Sequence, residues 1–357
     1  MNAKPRRRGP TALDVAKKAG VAPATAARVL GNYSTVSPAL RERVLRAAEQ
    51  IGYRPNRLAR SMVTGLTQTI GVVIANIEDQ FFARLVRGVA DEAAEAGFHL
   101  VLANSDEEVD EERSAVQLLT ERQVDGLIVA PCSVHEFDHL AELQTYGMPL
   151  VLLDRRIDGL EVDAVVIDGV RAAEEATGFL LALGHRRIAI VTDADGARPP
   201  ASAEFEGPPP ATGARLAGYL RSLTRAGVPI EDELIRGAEP TVEGARVQTA
   251  ALIDSDAAPT AIFTTDNTMT LGALEALHAR RIRIPQEVSL LGFDDLEWTK
   301  ATSPPLSVVS QPISNLGATA ARALIDRIEG EASSPRTFVL ATELVHRAST
   351  AGPASAN

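Results

Sequence analysis

Residues 11–30 read TALDVAKKAGVAPATAARVL, and this stretch decides how the front of the chain folds. Thr11 reads as a helix cap, with Asp14 three residues on as its capping-box partner. The first helix runs to about Lys18. Ala19-Gly20-Val21 then makes a tight turn in which glycine supplies the backbone freedom. Pro23 suits the first turn of a second helix, because its missing N–H would be unpaired there anyway. That helix ends near Leu30, before Gly31-Asn32, and Ser37-Pro38 repeats the start for a third helix that stops at Gly52. Val15, Ala16, Leu30, Val36, Val44 and Ile51 recur at spacings that close a small three-helix core. Two short helices joined by a glycine turn form a helix-turn-helix, which would set the N-terminal residues of the second helix and Arg28 toward a DNA major groove. Arg28 is able to read guanine in a bidentate contact or to grip a phosphate, and the spacing leaves both open.

Charge sets this segment apart. Up to Thr64 there are 13 Lys+Arg against 3 Asp+Glu, a net of +10, whereas the remaining chain carries 23 against 44, a net of −21. A short cationic module on a large anionic body points to a nucleic-acid reader joined to something that is not one. The overall net charge of −11 hides this division. At 357 residues the chain exceeds one ordinary domain. No apolar run reaches the length of a membrane span, and no apolar stretch follows the basic N-terminal residues as a secretory signal requires. The single cysteine, Cys132, has no internal disulfide partner, which fits a reducing cytoplasm.

Several short motifs carry a resemblance. Asp14-Val15-Ala16, Ala19-Gly20-Val21, Arg28-Val29-Leu30, Val36-Ser37-Pro38, Arg41-Glu42-Arg43-Val44 and Gly52-Tyr53-Arg54-Pro55-Asn56 resemble the headpiece of the lactose-repressor (LacI/GalR) family. Leu58-Ala59-Arg60-Ser61-Met62 resembles its hinge helix. The resemblance implies DNA contacts at Thr11, Pro23, Ala24, Thr25, Arg28, Ser37, Tyr53, Asn56, Arg57 and Ala59. It also implies a minor-groove wedge at Met62, where the family places leucine. Ala22 and Ala27 stand where the family has serine, which removes hydroxyl contacts. Pro23 and Ala24, at the base-reading positions, offer only apolar contact such as to a thymine methyl.

From Thr69 onward, apolar runs alternate with helical patterns. Ile70–Ala75, Leu100–Ala103, Gly126–Ala130, Leu150–Leu153, Val165–Ile167, Ile188–Val191, Ala261–Phe263 and Val288–Gly292 read as buried parallel strands. About nine strands imply two doubly wound sheets with a ligand crevice at their carboxyl ends. Phe81, Phe82, Asp154, Asp266 and Asp294 fall just past strand ends, and Arg215 supplies a donor. Aromatic faces with several carboxylates suit a neutral polyol such as a sugar, while helix capping and core filling are the rival roles for the same residues. Val124-Asp125-Gly126-Leu127, Gly184-His185-Arg186-Arg187-Ile188, Arg215-Leu216-Ala217-Gly218, Leu271-Gly272-Ala273-Leu274, Gly292-Phe293-Asp294-Asp295 and Pro304-Pro305-Leu306 resemble the family's effector-binding core. That resemblance implies effector contacts at Phe81, Phe82, Asp154, Arg215, Asp266, Asp294 and Gln311. Glu239 falls where many members place an aromatic; it signals a more polar, even cationic, effector or simply turns outward. Asp193–Thr212, rich in Pro, Gly, Ala and Ser, reads as a disordered loop, either a lid over the crevice or an idle one.

His135-Glu136-Phe137-Asp138-His139 fits the H-E-x-x-H zinc pattern, but on a short helix of a repeated α/β core with no third ligand it reads as incidental. No catalytic residue, metal site or cofactor is expected. The expected architecture is an all-α helix-turn-helix headpiece plus hinge helix, then an α/β periplasmic-binding-protein-like core of two doubly wound parallel-sheet subdomains. By residue this means a basic disordered arm (1–10), the headpiece (11–53), hinge helix and linker (54–68), the core (69–347) and a disordered tail (348–357). Within the core, one subdomain takes about 69–168 and 310–331 and the other about 169–309 and 332–347. The expected function is an effector-controlled, sequence-specific transcriptional regulator, a cytoplasmic homodimeric repressor of double-stranded operator DNA with no membrane partner and no enzymatic activity. The alternative is a solute-binding protein for sugars with no role in transcription.

Overall fold

The computed structural model describes residues 10–31, 36–53, 65–193 and 211–354. The chain divides after Gln68 into two compact units. The first contains α1 (Ala12–Ala19), α2 (Pro23–Leu30) and α3 (Pro38–Gln50). Thr11 closes the expected capping box on α1, its backbone N–H donating to Asp14 Oδ2 at 2.9 Å while Asp14 N–H donates back to its hydroxyl. Gly20 ends α1 in the left-handed region at φ 62°, where a side chain would be strained. Pro23 opens α2 as its first residue. The helices close on Val15, Ala16, Ala19, Ala26, Val29, Val44, Ala47 and Ala48, with Leu30, Val36 and Ile51 packed half-buried around them. The arm (1–9), most of the hinge segment (54–64) and residues 194–210 of the Pro/Gly/Ala/Ser stretch lie outside the described residues.

The second unit is built on two sheets. The first sheet holds β1 (Thr69–Ile74), β2 (His99–Asn104), β3 (Gly126–Val129), β4 (Leu150–Leu153), β5 (Asp163–Ile167) and β11 (Thr337–Leu340). Their order is β11-β5-β4-β3-β1-β2, parallel throughout. The second holds β6 (Ile188–Asp193), β7 (Ile235–Ala238), β8 (Ala261–Thr264), β9 (Ser289–Phe293), β10 (Ser307–Ser310) and β12 (Glu343–Val345), in the order β12-β10-β9-β8-β6-β7 with only the β10–β12 pair antiparallel. Parallel strands need crossovers, and helices supply them on both faces. α4 (Gln80–Glu95) and α12 (Ile313–Ile328) cover one face of the first sheet; α5 (Val109–Glu121) and α6 (Asp138–Thr145) cover the other. α7 (Gly169–Ala182) and α8 (Ala211–Arg225) pack on one face of the second sheet, α9 (Val242–Ile253) and α10 (Asn267–Ala279) on its other face. The short α11 (Glu297–Ala301) follows β9.

Three expectations need correction. Residues 332–347 do not belong to one subdomain, because β11 joins the first sheet beside β5 while β12 joins the second beside β10. The chain therefore passes between the sheets three times. Residues 348–351 are not a loose tail. Ser349 is fully buried and its hydroxyl donates to the Leu290 carbonyl at 2.6 Å, while His185 Nε2 reaches the Ala351 carbonyl at 2.8 Å. Finally, the H-E-x-x-H residues do not share a helix. α6 begins only at Asp138, so His135 precedes it, and His139 is buried with Nε2 at 2.7 Å from the Glu112 carboxylate.

Candidate functional site

In the first unit, the burial of α2 is one-sided. Ala26 and Val29 enter the core, whereas Pro23, Ala24, Ala27 and Arg28 are exposed. At helical spacing these four share one outward stripe, and Arg28 is its one polar member. Lys17, Lys18, Arg43 and Arg46 are exposed on the flanking helices, with Arg46 paired to Glu42. Thr25 and Tyr53 are half-buried and Ser37 is exposed. Thr11 spends its hydroxyl on Asp14, at 2.7 Å. Asn56, Arg57, Ala59 and Met62 lie outside the described residues.

In the second unit, Phe81, Phe82, Asp154, Arg215, Asp266, Asp294 and Gln311 all line one cavity of about 290 Å³. The fold brings them together by a repeated device. Asp154 follows the end of β4 and Asp294 the end of β9, each in the left-handed backbone region, at φ 67° and 72°. Each N–H is held by the neighbouring strand, Asp154 to Val165 at 3.0 Å and Asp294 to Val309 at 2.8 Å. Short polar residues tolerate this conformation better than most, and here it turns a carboxylate toward the strand-end crevice. Phe81 and Phe82 open α4 and meet edge to face, ring centres 5.1 Å apart at 76°. Arg215, in α8, donates from Nη1 to the Thr265 carbonyl at 2.6 Å and lies 4.0 Å above the Phe293 ring.

Capping and cavity lining prove compatible. Asp266 caps α10 by accepting from Met269 N–H at 2.8 Å and still faces the cavity. Asp79 caps α4 by accepting from Phe81 N–H at 2.8 Å, and the same oxygen accepts from Asn267 Nδ2 at 2.9 Å, joining the first helix of one sheet to the head of α10 on the other. Removal from water raises all three carboxyls, Asp294 buried and Asp79 and Asp266 half-buried, because the charged form loses hydration. Asp266 rises to about 7, pushed by burial and then by the Asp193 charge. Asp294 rises to about 6 by burial, against the pull of Arg215 and of Gln311 Nε2, which donates to it at 2.7 Å. Asp79 is raised by burial despite its two hydrogen bonds.

Sequence reading passed over Asp79, Asp106, Glu107, Arg155 and Asp193, which also line this cavity. Asp193 was open to discovery, since it ends β6 as Asp154 follows β4. Arg155 and Glu107 meet only in three dimensions, at 2.9 and 3.0 Å, across a separation of 48 residues. Glu239 is exposed and does not line the cavity, which decides for the outward-turned option. Asp295 is likewise structural, held by Arg347 at 2.7 and 2.8 Å.

Comparison with known proteins gives the same two-part division. Residues 11–56 match the model of bacterial regulatory proteins of the lacI family, and residues 177–350 match a periplasmic binding protein-like domain. Catabolite control protein A of Priestia megaterium is 32% identical over 340 residues, 95% of this chain and 99% of the relative. The lac repressor dimer bound to operator and the anti-inducer ONPF superposes with a TM-score of 0.81 at 25% identity, covering 96% of this chain and all of that one. A transcriptional regulator CelR–cellobiose complex superposes with a TM-score of 0.70 at 31% identity, with the same coverage.

Proposed function

Because this chain belongs to the lacI family of bacterial regulatory proteins, we propose that it is a repressor whose hold on operator DNA is set by a small polyhydroxylated effector in the strand-end cavity. The observation that carries the reading is the convergence of seven expected effector residues, from both sheets, on one cavity. Its relatives are transcriptional regulators, and operator DNA and a sugar are the ligands in two structures of the same fold. Among the described residues no helix is long and apolar enough to cross a membrane, and a protein acting on chromosomal DNA works in the cytoplasm. Two headpieces on one palindrome call for a homodimer, as in the lac repressor dimer.

The mechanism follows from the cavity's walls. Asp154, Phe81 and Phe82 belong to the first sheet and its helices; Arg215, Asp266 and Asp294 belong to the second. A ligand touching both sets favours one spacing of the two sheets over another. The sheets are joined by three chain passages and by the Asp79–Asn267 hydrogen bond, so a change in spacing is a hinge motion rather than unfolding. β1 directly follows the headpiece segment in sequence and so carries the change to the DNA-reading part. The effector regulates only if it binds the two arrangements with different affinity.

A mobility-shift titration of the full chain on its own upstream DNA tests this reading. Binding should weaken steeply with added salt, because phosphate neutralisation releases counterions. At least one sugar that raises the thermal stability of the protein should also change the shift. A sugar that binds without any effect on the DNA complex would favour the solute-binding alternative.

A further inference from the structure

The cavity carries more negative charge than a neutral ligand calls for. Among the described residues its wall holds seven carboxylates (Asp79, Asp106, Glu107, Asp154, Asp193, Asp266 and Asp294) against two guanidiniums. Both cations are partly committed within the wall. Arg155 binds Glu107 and donates to the Pro131 and Cys132 carbonyls, coming no closer than 3.9 Å to Asp154. Arg215 donates to the Thr265 carbonyl and covers the Phe293 ring, while its buried Nε has no partner and calls for one acceptor, which a hydroxyl of the ligand supplies. Six aspartates thus share one space with two guanidiniums, one of which is paired to Glu107.

A second observation points to a donor-rich ligand. Gln311 is only 6% exposed and lines the cavity; its Nε2 donates to Asp294, but its Oε1 has no partner. Asp193 Oδ1 is also buried without a partner. Unpaired buried acceptors are costly, and both belong to residues of the cavity wall. An ammonium brings three donors, no acceptor and a positive charge, whereas a hydroxyl brings one donor and competing lone pairs. The Phe81–Phe82 pair gives the same ligand an apolar face to lie on.

We propose that this cavity selects a polyhydroxylated ligand bearing a protonated amine, an amino sugar, over the neutral sugar of the same skeleton. The proposal rests on the reading of this cavity as the effector site. A cation among these groups favours their ionised forms, so binding is linked to proton release. Asp266 and Asp294 hold their protons up to about 7 and 6, with Asp79, Asp154, Asp193, Glu107, Asp106, Arg155 and Arg215 around them. Amine affinity therefore rises with pH through this range, as each carboxyl becomes available as an anion.

The test is calorimetry and thermal shift on the full chain with four matched pairs: glucosamine and glucose, galactosamine and galactose, mannosamine and mannose, and an imino sugar with its ring-oxygen parent. At least one amine should bind more tightly than its neutral partner. Its advantage should widen about tenfold between roughly pH 5.5 and 7, and Asp193→Asn should narrow it about tenfold. A neutral sugar that binds as tightly as its amine, an advantage that does not change with pH, or binding by none of the four amines overturns the proposal. Operator mobility shift in the same samples separates the two readings, since a neutral sugar that alters DNA binding removes the amine yet leaves the regulator intact.

Discussion

At Asp294 stability and the proposed effector role meet in one residue. It is 2% exposed, sits at φ 72°, and holds its proton up to about 6. A carboxyl whose folded pKa is raised binds more protons folded than unfolded, so its contribution to stability falls as pH rises from about 3.8 through 6. Asn accepts the Gln311 hydrogen bond, tolerates the left-handed backbone and carries no charge. Asp294→Asn should therefore raise the unfolding free energy of the ligand-free protein by on the order of 2 kcal/mol near pH 8 and by nothing near pH 4, while losing effector response. Thermal unfolding at the two pH values checks this, and an equal gain at both would assign the effect to packing. At the DNA end the corresponding residue is Arg28. As the one polar member of the exposed α2 stripe, it is the one side chain there that can read a base by hydrogen bonding. Arg28→Ala should cost about 1–3 kcal/mol on the operator and much less on random DNA. Equal losses on both, measured by competition binding, would make it a phosphate contact.

At the scale of elements, the helix pairs are set by glycines. A Cβ on Gly88 of α4 would lie 2.0 Å from the Ser314 carbonyl oxygen of α12, and one on Gly317 of α12 would lie 2.0 Å from that of Leu85 in α4. Gly218 of α8 meets the Val170 carbonyl of α7 at 2.2 Å, and Gly272 of α10 meets that of Val242 in α9 at 2.4 Å. Each close pair lets two helices approach with backbone against backbone while their other sides cover a sheet. Gly317→Ala must push α12 off α4 and should destabilise by about 1–3 kcal/mol. Gly178, inside α7, has nothing within 4 Å of such a Cβ, so Gly178→Ala should stabilise by up to about 1 kcal/mol. Urea unfolding of both variants checks the contrast, and a loss at both would remove close packing as the reason. These contacts mark the limit of what the sequence made legible. Central strands such as Leu150–Leu153 are buried on both faces and read as unbroken apolar runs. β11 escaped notice because its residues alternate between exposed and half-buried at a sheet edge, and β7 because Arg236 and Gly237 interrupt its four residues. The strand-end aspartates were visible because residues just past a buried run must face the crevice. Arg155–Glu107 was not, because nothing local links two residues brought together by separate loops.

For the whole molecule, the separation of charge becomes a separation of tasks. The first 64 residues carry +10 and the remainder −21, so DNA attracts one part and repels the other. Each part also has its own closed core, eight small buried residues in the headpiece and four larger clusters in the body. The body therefore does not need the headpiece in order to fold. A chain beginning at Gly65 should keep cooperative unfolding and undiminished affinity for the effector, since every described cavity residue lies beyond that point. Its operator affinity should fall roughly a thousandfold or more, the usual interval between specific and non-specific binding. Lowering the salt should recover little of it, because a body of this charge gains no counterion release from phosphate. Fluorescence anisotropy with labelled operator at two ionic strengths, beside calorimetry with the effector, measures both halves of the expectation. Retained operator affinity in the shortened chain would place DNA recognition in the body and reverse the assignment made from charge. Lost effector affinity would instead mean that the headpiece helps to shape the cavity, although it contributes none of the described wall.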